Sequence, residues 1–281
     1  MTGETLAYEV VDVFTDRAFA GNPLAVVLDA DDLSTAQLQA IASEFNLSET
    51  AFPVAPPEGA TYGLRIFTPR SELPFAGHPS VGSASVLHRL GRIAAGDNVQ
   101  ACGAGLLPVV VGQDHVTLTG GPPSYDEPLD PTPLLAALGL SAEDLAGPAP
   151  RFAGVGIEFA FLLVRPEALG RVRVDLSRVE AAGRTGISLV AWDGATARCR
   201  VFAGDVGEDP ATGSAALGLG VFLGVSGLLH DGTHDYVVEQ GREMGRPSTL
   251  TCRVTVEGGR TTRTTVSGAV VPVARGQIRI P

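Results

Sequence analysis

Apolar and polar positions along this chain follow a two-residue period far more often than a helical one. Residues 8–14, with β-branched Val10, Val11 and Val13, and residues 24–28 read as the opening strands, joined through a Gly21-Asn22-Pro23 turn. Helical spacing first appears over 34–45, where Leu38, Ile41, Ala42 and Phe45 share one face behind a Ser34 cap, with an end expected near Asn46. Strands are expected at 62–68, 99–111 and 115–119, and a helix rich in Gly, Ser and Ala at 80–90. The second half opens with a helical stretch at 133–138 and a short helix capped by Ser141. Strands follow at 159–164 and 187–191, then a buried helix at 215–223, a strand at 236–240 and closing strands at 249–257, 261–267 and 270–280. Gly258-Gly259 is a hairpin turn in that last group.

Two stretches repeat. Glu208-Asp209-Pro210-Ala211-Thr212-Gly213-Ser214-Ala215 follows a strand-like Cys199-Arg200-Val201-Phe202, and Gly77-His78-Pro79-Ser80-Val81-Gly82-Ser83-Ala84 follows Leu64-Arg65-Ile66-Phe67. Read with Asp209 in the place of His78, the copies lie 131 positions apart (209 − 78), with Pro, Gly, Ser and Ala in register. Asp209 then reads as an N-cap and Pro210 as the first helical residue. So long a period implies two similar domains and not a solenoid. The Pro-rich segment from Gly121 to Pro133 marks the crossing, which places domains at 1–122 and 123–269, with residues 270–281 as a candidate strand to complete the first.

Size and composition agree with this. A chain of 281 residues can bury two cores, and 44% hydrophobic against 18% charged residues excludes disorder. A net charge of −11 argues against a nucleic-acid or anionic-membrane surface, so an anionic ligand must be held by local donors. Met1-Thr2-Gly3-Glu4-Thr5 lacks the basic start of a secretion signal and no apolar run is long enough to span a membrane, so a cytoplasmic location is expected. Cys102, Cys199 and Cys252 form no paired motif, and His230 and His234 flank a turn-like Asp231-Gly232-Thr233, so neither a disulfide framework nor a metal site is expected.

The motifs together resemble the phenazine-biosynthesis PhzF-like family, which shares the diaminopimelate epimerase fold. The resemblance is carried, in order, by Gly21-Asn22-Pro23-Leu24-Ala25-Val26, Ser48-Glu49-Thr50-Ala51-Phe52, Gly77-His78-Pro79, the Glu208–Asp209 loop, and Gln240-Gly241 with Gly245-Arg246-Pro247-Ser248. It implies an α+β fold of two pseudo-symmetric domains, each a curved, barrel-like sheet around a central helix, with the active site in the interdomain cleft and homodimeric assembly. It also implies a cofactor-independent isomerase acting on a small carboxylated substrate resembling trans-2,3-dihydro-3-hydroxyanthranilate. The related epimerases use two cysteines, but here Ala76 and Ala211 occupy the loops, and the family carries a carboxylate that Glu49 matches.

On this reading Glu49 removes a proton from an acidified C–H and returns it to another carbon, which requires a pKa near the operating pH, and His78 and Asp209 orient the substrate and the carboxylate. Ser48, Gly77, Ser80, Thr212, Gly213 and Ser214 are the expected substrate-binding residues, with backbone N–H groups at the two helix starts receiving the substrate carboxylate. Gln240 is a further lining candidate. Taken singly, His78 is a loop histidine, Asp209 a helix cap and Glu49 a solvent-facing strand residue. Two alternatives stay open: a racemase using Glu49 against Asp209 or His78, and a non-catalytic binding member of the fold. The approach from Phe202 to Asp209 spans seven steps against eleven from Phe67 to His78, a departure expected to alter the cleft.

Overall fold

The computed structural model describes residues 4–182, 184–203 and 206–281. Met1, Thr2 and Gly3 of the N-terminal reading, and Gly204 and Asp205 of the approach to the second loop, lie outside the described residues. The chain divides into two compact units, one running to Thr119 and resuming over Ser267–Pro281, the other comprising Gly120–Val266.

The first unit begins with β1 (Thr5–Val13) and antiparallel β2 (Asn22–Val27). Helix α1 (Thr35–Phe45) crosses to β3 (Glu49–Val54), which runs parallel to β2. A capping box between Ser34 and Gln37 starts α1, and Asn46 in the left-handed region ends it. Then come β4 (Tyr62–Phe67), antiparallel to β3, and a short β5 (Glu72–Leu73) folded back on β4. Helix α2 (Gly77–Arg89) leads to β6 (Gly96–Cys102), parallel to β4, and then to antiparallel β7 (Gly105–Val111) and β8 (Val116–Thr119). The run expected as one strand over 99–111 is thus a hairpin, turned where Gly103 passes so close to Pro74 that a Cβ would lie 2.8 Å from its Cα.

The second unit holds β9 (Ser124–Tyr125), α3 (Pro131–Leu138), a 3-10 turn at Ala142–Asp144, β10 (Arg151–Gly154) and β11 (Glu158–Leu163). Helices α4 (Pro166–Leu169) and α5 (Leu176–Ala181) lead to β12 (Gly186–Trp192), β13 (Thr196–Ala203) and β14 (Gly207–Asp209). Helix α6 (Gly213–Val225), β15 (Gly232–Gln240), β16 (Ser248–Glu257) and β17 (Arg260–Gly268) follow. The final strand, β18 (Val270–Arg279), belongs to the first unit and pairs with β1 from Val13 back to Thr5.

The pairing senses of the two units repeat. The pairs β1–β2, β3–β4, β4–β5 and β6–β7 are antiparallel while β2–β3 and β4–β6 are parallel. Likewise β10–β11, β12–β13, β13–β14 and β15–β16 are antiparallel while β11–β12 and β13–β15 are parallel. The repetition reaches side chains. Arg65 grips Glu72 through two hydrogen bonds and lies 5.2 Å over the Phe67 ring; Arg200 grips Glu208 in the same way and lies 5.1 Å over Phe202.

This symmetry corrects the register read from sequence. The helices begin at Gly77 and Gly213, 136 positions apart (213 − 77), and the hairpin acids Glu72 and Glu208 share that offset (208 − 72). His78 therefore corresponds to Ser214, not to Asp209, and Ala76 to Thr212. Asp209 is neither an N-cap nor followed by a helical Pro210: it closes β14 opposite Val201, and Thr212 is the N-cap. Strand pairing at Asp209 holds the chain extended there, which outweighs the local likeness of the two eight-residue stretches. On this register the second approach is not shortened: Phe67 to His78 spans eleven steps and Phe202 to Ser214 twelve (214 − 202), so the count of seven to Asp209 came from the misplaced register.

Each unit curls its sheet around one helix of small residues. In α2 a Cβ on Gly82 would lie 2.6 Å from Leu24 and 2.8 Å from Val13, and at the corresponding Gly218 of α6 it would lie 3.1 Å from the Ala153 carbonyl. Glycine lets helix and strand approach to a distance that a larger residue would prevent. No described helix is long and apolar enough to cross a membrane.

Candidate active site

In the first unit, the parallel pair β2–β3 brings two chain segments to one sheet end. Asn22 begins β2, Glu49 begins β3, and Leu24 sits opposite Glu49. Helix α2 delivers His78 from its first turn, and Glu49 Oε2 lies 3.5 Å from His78 Nε2. The other ring nitrogen, Nδ1, is 3.2 Å from the Asn22 amide nitrogen, and Ser48 Oγ donates to Asn22 Oδ1 at 3.1 Å. With the amide so oriented, its N–H₂ donates to Nδ1, which must be the unprotonated nitrogen. The ring proton is then on Nε2, the side facing Glu49.

Burial decides the charge of this ring. His78 is 3% exposed, and the loss of solvent pushes its pKa down to about 3, so the imidazole is neutral at physiological pH. A neutral imidazole at 3.5 Å does not convert the neighbouring carboxylate into half of a fixed ion pair. The Glu49 side chain retains 13% exposure, which leaves it an open side.

In the second unit Asp209 is nearly buried, and its Oδ2 accepts from the Thr212 hydroxyl at 2.5 Å. Gln240 braces the same segment: its amide N donates to the Asp209 carbonyl at 2.7 Å and to Thr212 Oγ1 at 3.0 Å, while its Oε1 accepts from the Thr212 N–H at 3.1 Å. Ser248 Oγ donates to the Pro210 carbonyl at 3.0 Å. Gly241, at φ +76°, passes so close that a Cβ would lie 2.6 Å from the Pro210 oxygen and 2.3 Å from the Arg246 oxygen. The Gln240-Gly241 and Gly245-Arg246-Pro247-Ser248 motifs thus form the support behind Asp209. Gln240, expected as a lining residue, belongs to that support.

Neither α2 nor α6 has a side-chain cap, at Ala76 or at Thr212, so the amides of Gly77 and His78, and of Gly213 and Ser214, open their helices without one. Ser80, expected among the substrate-binding residues, is instead fully buried: its hydroxyl donates to the Ala76 carbonyl at 2.8 Å and accepts from Gln100 at 2.9 Å, holding the first turn of α2. Asn22 was legible as a turn residue within a family motif but not as the partner of His78. Its sequence signal is slight, a polar residue between Gly21 and an apolar strand. Cys199 and Cys252 are buried, with thiol pKa values pushed up by desolvation, to about 12 for Cys252, and neither they nor Cys102 stand at the two helix starts. His234 Nε2 bonds the His230 carbonyl at 2.8 Å and the Asp231 carboxylate accepts from Gly258 and Gly259, so these side chains serve their turns.

Comparison with known proteins places the chain in a family. The family model of the phenazine biosynthesis-like proteins, PhzC-PhzF, matches residues 11–276. The chain is similar to an uncharacterized isomerase of Mesorhizobium japonicum, 36% identical over 99% of this chain and 100% of that one. It is also similar to the trans-2,3-dihydro-3-hydroxyanthranilate isomerase of Pseudomonas chlororaphis, 34% identical over 96% of this chain and 98% of that one. Among solved structures, a PhzF-family phenazine biosynthesis protein of Bacillus anthracis has a TM-score of 0.88 at 24% identity, covering 99% of this chain and all of that one. The fold is the α+β, diaminopimelate epimerase-like one. The chain belongs to the phenazine biosynthesis-like PhzC-PhzF family. It is an enzyme, an isomerase of the PhzF-like type.

Proposed function

We propose that this isomerase is cofactor-independent and that Glu49 shuttles a proton between two carbons of a small carboxylated ring substrate resembling trans-2,3-dihydro-3-hydroxyanthranilate. The observation that carries the proposal is the Glu49–His78–Asn22 array, a partly exposed carboxylate beside a buried neutral imidazole of defined tautomer. Glu49 as carboxylate takes the proton from an acidified C–H, leaving the electron pair delocalised over the substrate. As carboxylic acid it returns that proton to a second carbon, regenerating the starting enzyme.

The Nε2–H of His78 is a donor to the carboxylate or to a substrate oxygen. With a pKa depressed to about 3, it is a poor proton carrier at neutral pH, which favours Glu49 as both base and acid. The internal symmetry points the same way. Thr50 pairs with Phe67 as Ile187 pairs with Phe202, so the counterpart of Glu49 is Gly186, where a Cβ would lie 2.2 Å from the Phe202 carbonyl oxygen. One carboxylate without a symmetric partner supports a single-residue shuttle over a two-base racemase. Asp209, held by Thr212, receives the amino or hydroxyl substituents in this proposal, and the amides opening α2 and α6 receive the substrate carboxylate. Ser48 acts through Asn22. A cytoplasmic homodimer completes the reading, supported by the family resemblance.

The test is NMR of trans-2,3-dihydro-3-hydroxyanthranilate in deuterated buffer with wild type and Glu49→Gln. Conversion with solvent deuterium in the product, slowed by about 10²- to 10⁴-fold in the variant, is the expected outcome. Undiminished conversion by Glu49→Gln would remove Glu49 from the chemistry, and no conversion by either protein would remove this substrate.

A further inference from the structure

The loop between β1 and β2 twice adopts a backbone conformation that bulky residues rarely take. Phe14 and Phe19 both have φ of 65°, a region where a bulky side chain crowds its own backbone. For Phe14 the reason is packing: its ring is fully buried, its N–H donates to the Ala269 carbonyl at 2.9 Å, and it fills the space beside Gly268, where a Cβ would lie 2.2 Å from the ring. Phe19 has no such reason, being 75% exposed. Its N–H donates at 2.6 Å to Oδ2 of Asp12, a carboxylate only 2% exposed, so a buried acid helps to hold an exposed aromatic residue in a disfavoured backbone state.

The topology says where this residue is displayed. β1 ends at Val13 opposite Asn22, the first residue of β2; β3 runs parallel to β2 and starts at Glu49. The loop therefore leaves the sheet at the end that carries Glu49, and three residues after Phe19 the chain reaches the amide that orients His78. An apolar ring at that end suits a ligand with a flat, largely apolar face better than an acyclic acid. Resting on the isomerase reading above, we propose that Phe19 is a specificity-determining residue whose ring covers the face of a cyclic, unsaturated substrate, and that Asp12 is the positioning residue that presents it.

The experiment measures binding of 3-hydroxyanthranilate, a planar analogue of the proposed substrate, by calorimetry to wild type, Phe19→Leu and Phe19→Ala. Turnover of trans-2,3-dihydro-3-hydroxyanthranilate and sedimentation are followed on the same samples. The expected result is binding weakened about three- to tenfold in Phe19→Ala and less in Phe19→Leu, with KM raised and kcat nearly kept. Phe19→Gly should bind as weakly as Phe19→Ala yet melt no lower than wild type, because glycine relieves the left-handed backbone. Wild-type turnover with unchanged binding and KM in Phe19→Ala would overturn this inference alone. Unchanged binding with altered sedimentation would assign the ring to an interface between copies of the chain and overturn it too. A wild type that neither binds the analogue nor converts the substrate would overturn the proposed substrate and this inference with it.

Discussion

At the scale of single residues, the neutrality of His78 has measurable consequences. Unfolded, its imidazole takes a proton near pH 6.5; folded, burial delays this until about pH 3. Between those values the unfolded state holds more protons, so stability rises with pH across the window and is lost as pH falls, by up to roughly 1.4 kcal/mol per pH unit. Urea unfolding of wild type between about pH 4 and pH 6 should show that slope, and His78→Asn should flatten it. In the proposed mechanism Asn22 acts one step back from the chemistry. Asn22→Leu removes the donor to Nδ1, so the ring loses its assigned tautomer, and kcat should drop by about 10- to 100-fold with a smaller change in KM; steady-state kinetics beside Glu49→Gln separates this from loss of the shuttle itself. Glu49 and His78 were legible because each sits in a short motif. Asn22 sits in one too, but its pairing with His78 was not legible, because that partner lies 56 positions away.

At the scale of elements, glycines set how closely the pieces approach. Gly241 has a positive φ and backbone oxygens on two sides, so Gly241→Ala combines left-handed strain with a steric clash and should cost at least about 2 kcal/mol. Because the displaced atoms include the Pro210 carbonyl, activity should fall along with stability; chemical denaturation and turnover on the same sample check both. Gly82→Ala meets the side-chain ends of Leu24 and Val13, which can yield in part, and should cost about 1–3 kcal/mol by overpacking between α2 and its strands. The strand and helix periods located most elements to within a few residues. The registers of α2 and α6 escaped, because Pro, Gly, Ser and Ala recurring over eight positions match better at offset 131 than at the 136 set by the Arg65–Glu72 and Arg200–Glu208 hairpins.

At the scale of the whole molecule, the first unit is closed by the last strand of the chain. β18 pairs with β1 along its full length, bringing together residues such as Thr5 and Arg279. Ending the chain after Gly268 should leave β1 without that ladder and cost the first unit its cooperative transition; hydrogen exchange should show the β1 amides unprotected, while a truncation after Ile280 leaves them protected. The duplicated pairing senses predict no functional symmetry, since Glu49 has Gly186 as its counterpart and His78 has Ser214.

By itself the sequence determined that the chain is duplicated, rich in strands and built on two helices of small residues, and which motifs mark its family. These properties follow from local backbone geometry, where side chains alternate along a strand and recur every three to four residues on a helix. Only the tertiary structure decided which residue answers to which across the duplication, that Ser80 and Gln240 hold helix and loop in place, and that His78 presents Nε2–H to Glu49. Those outcomes depend on strand pairing, burial and hydrogen bonds between residues far apart in the chain, and such contacts leave no period behind in the order of the amino acids.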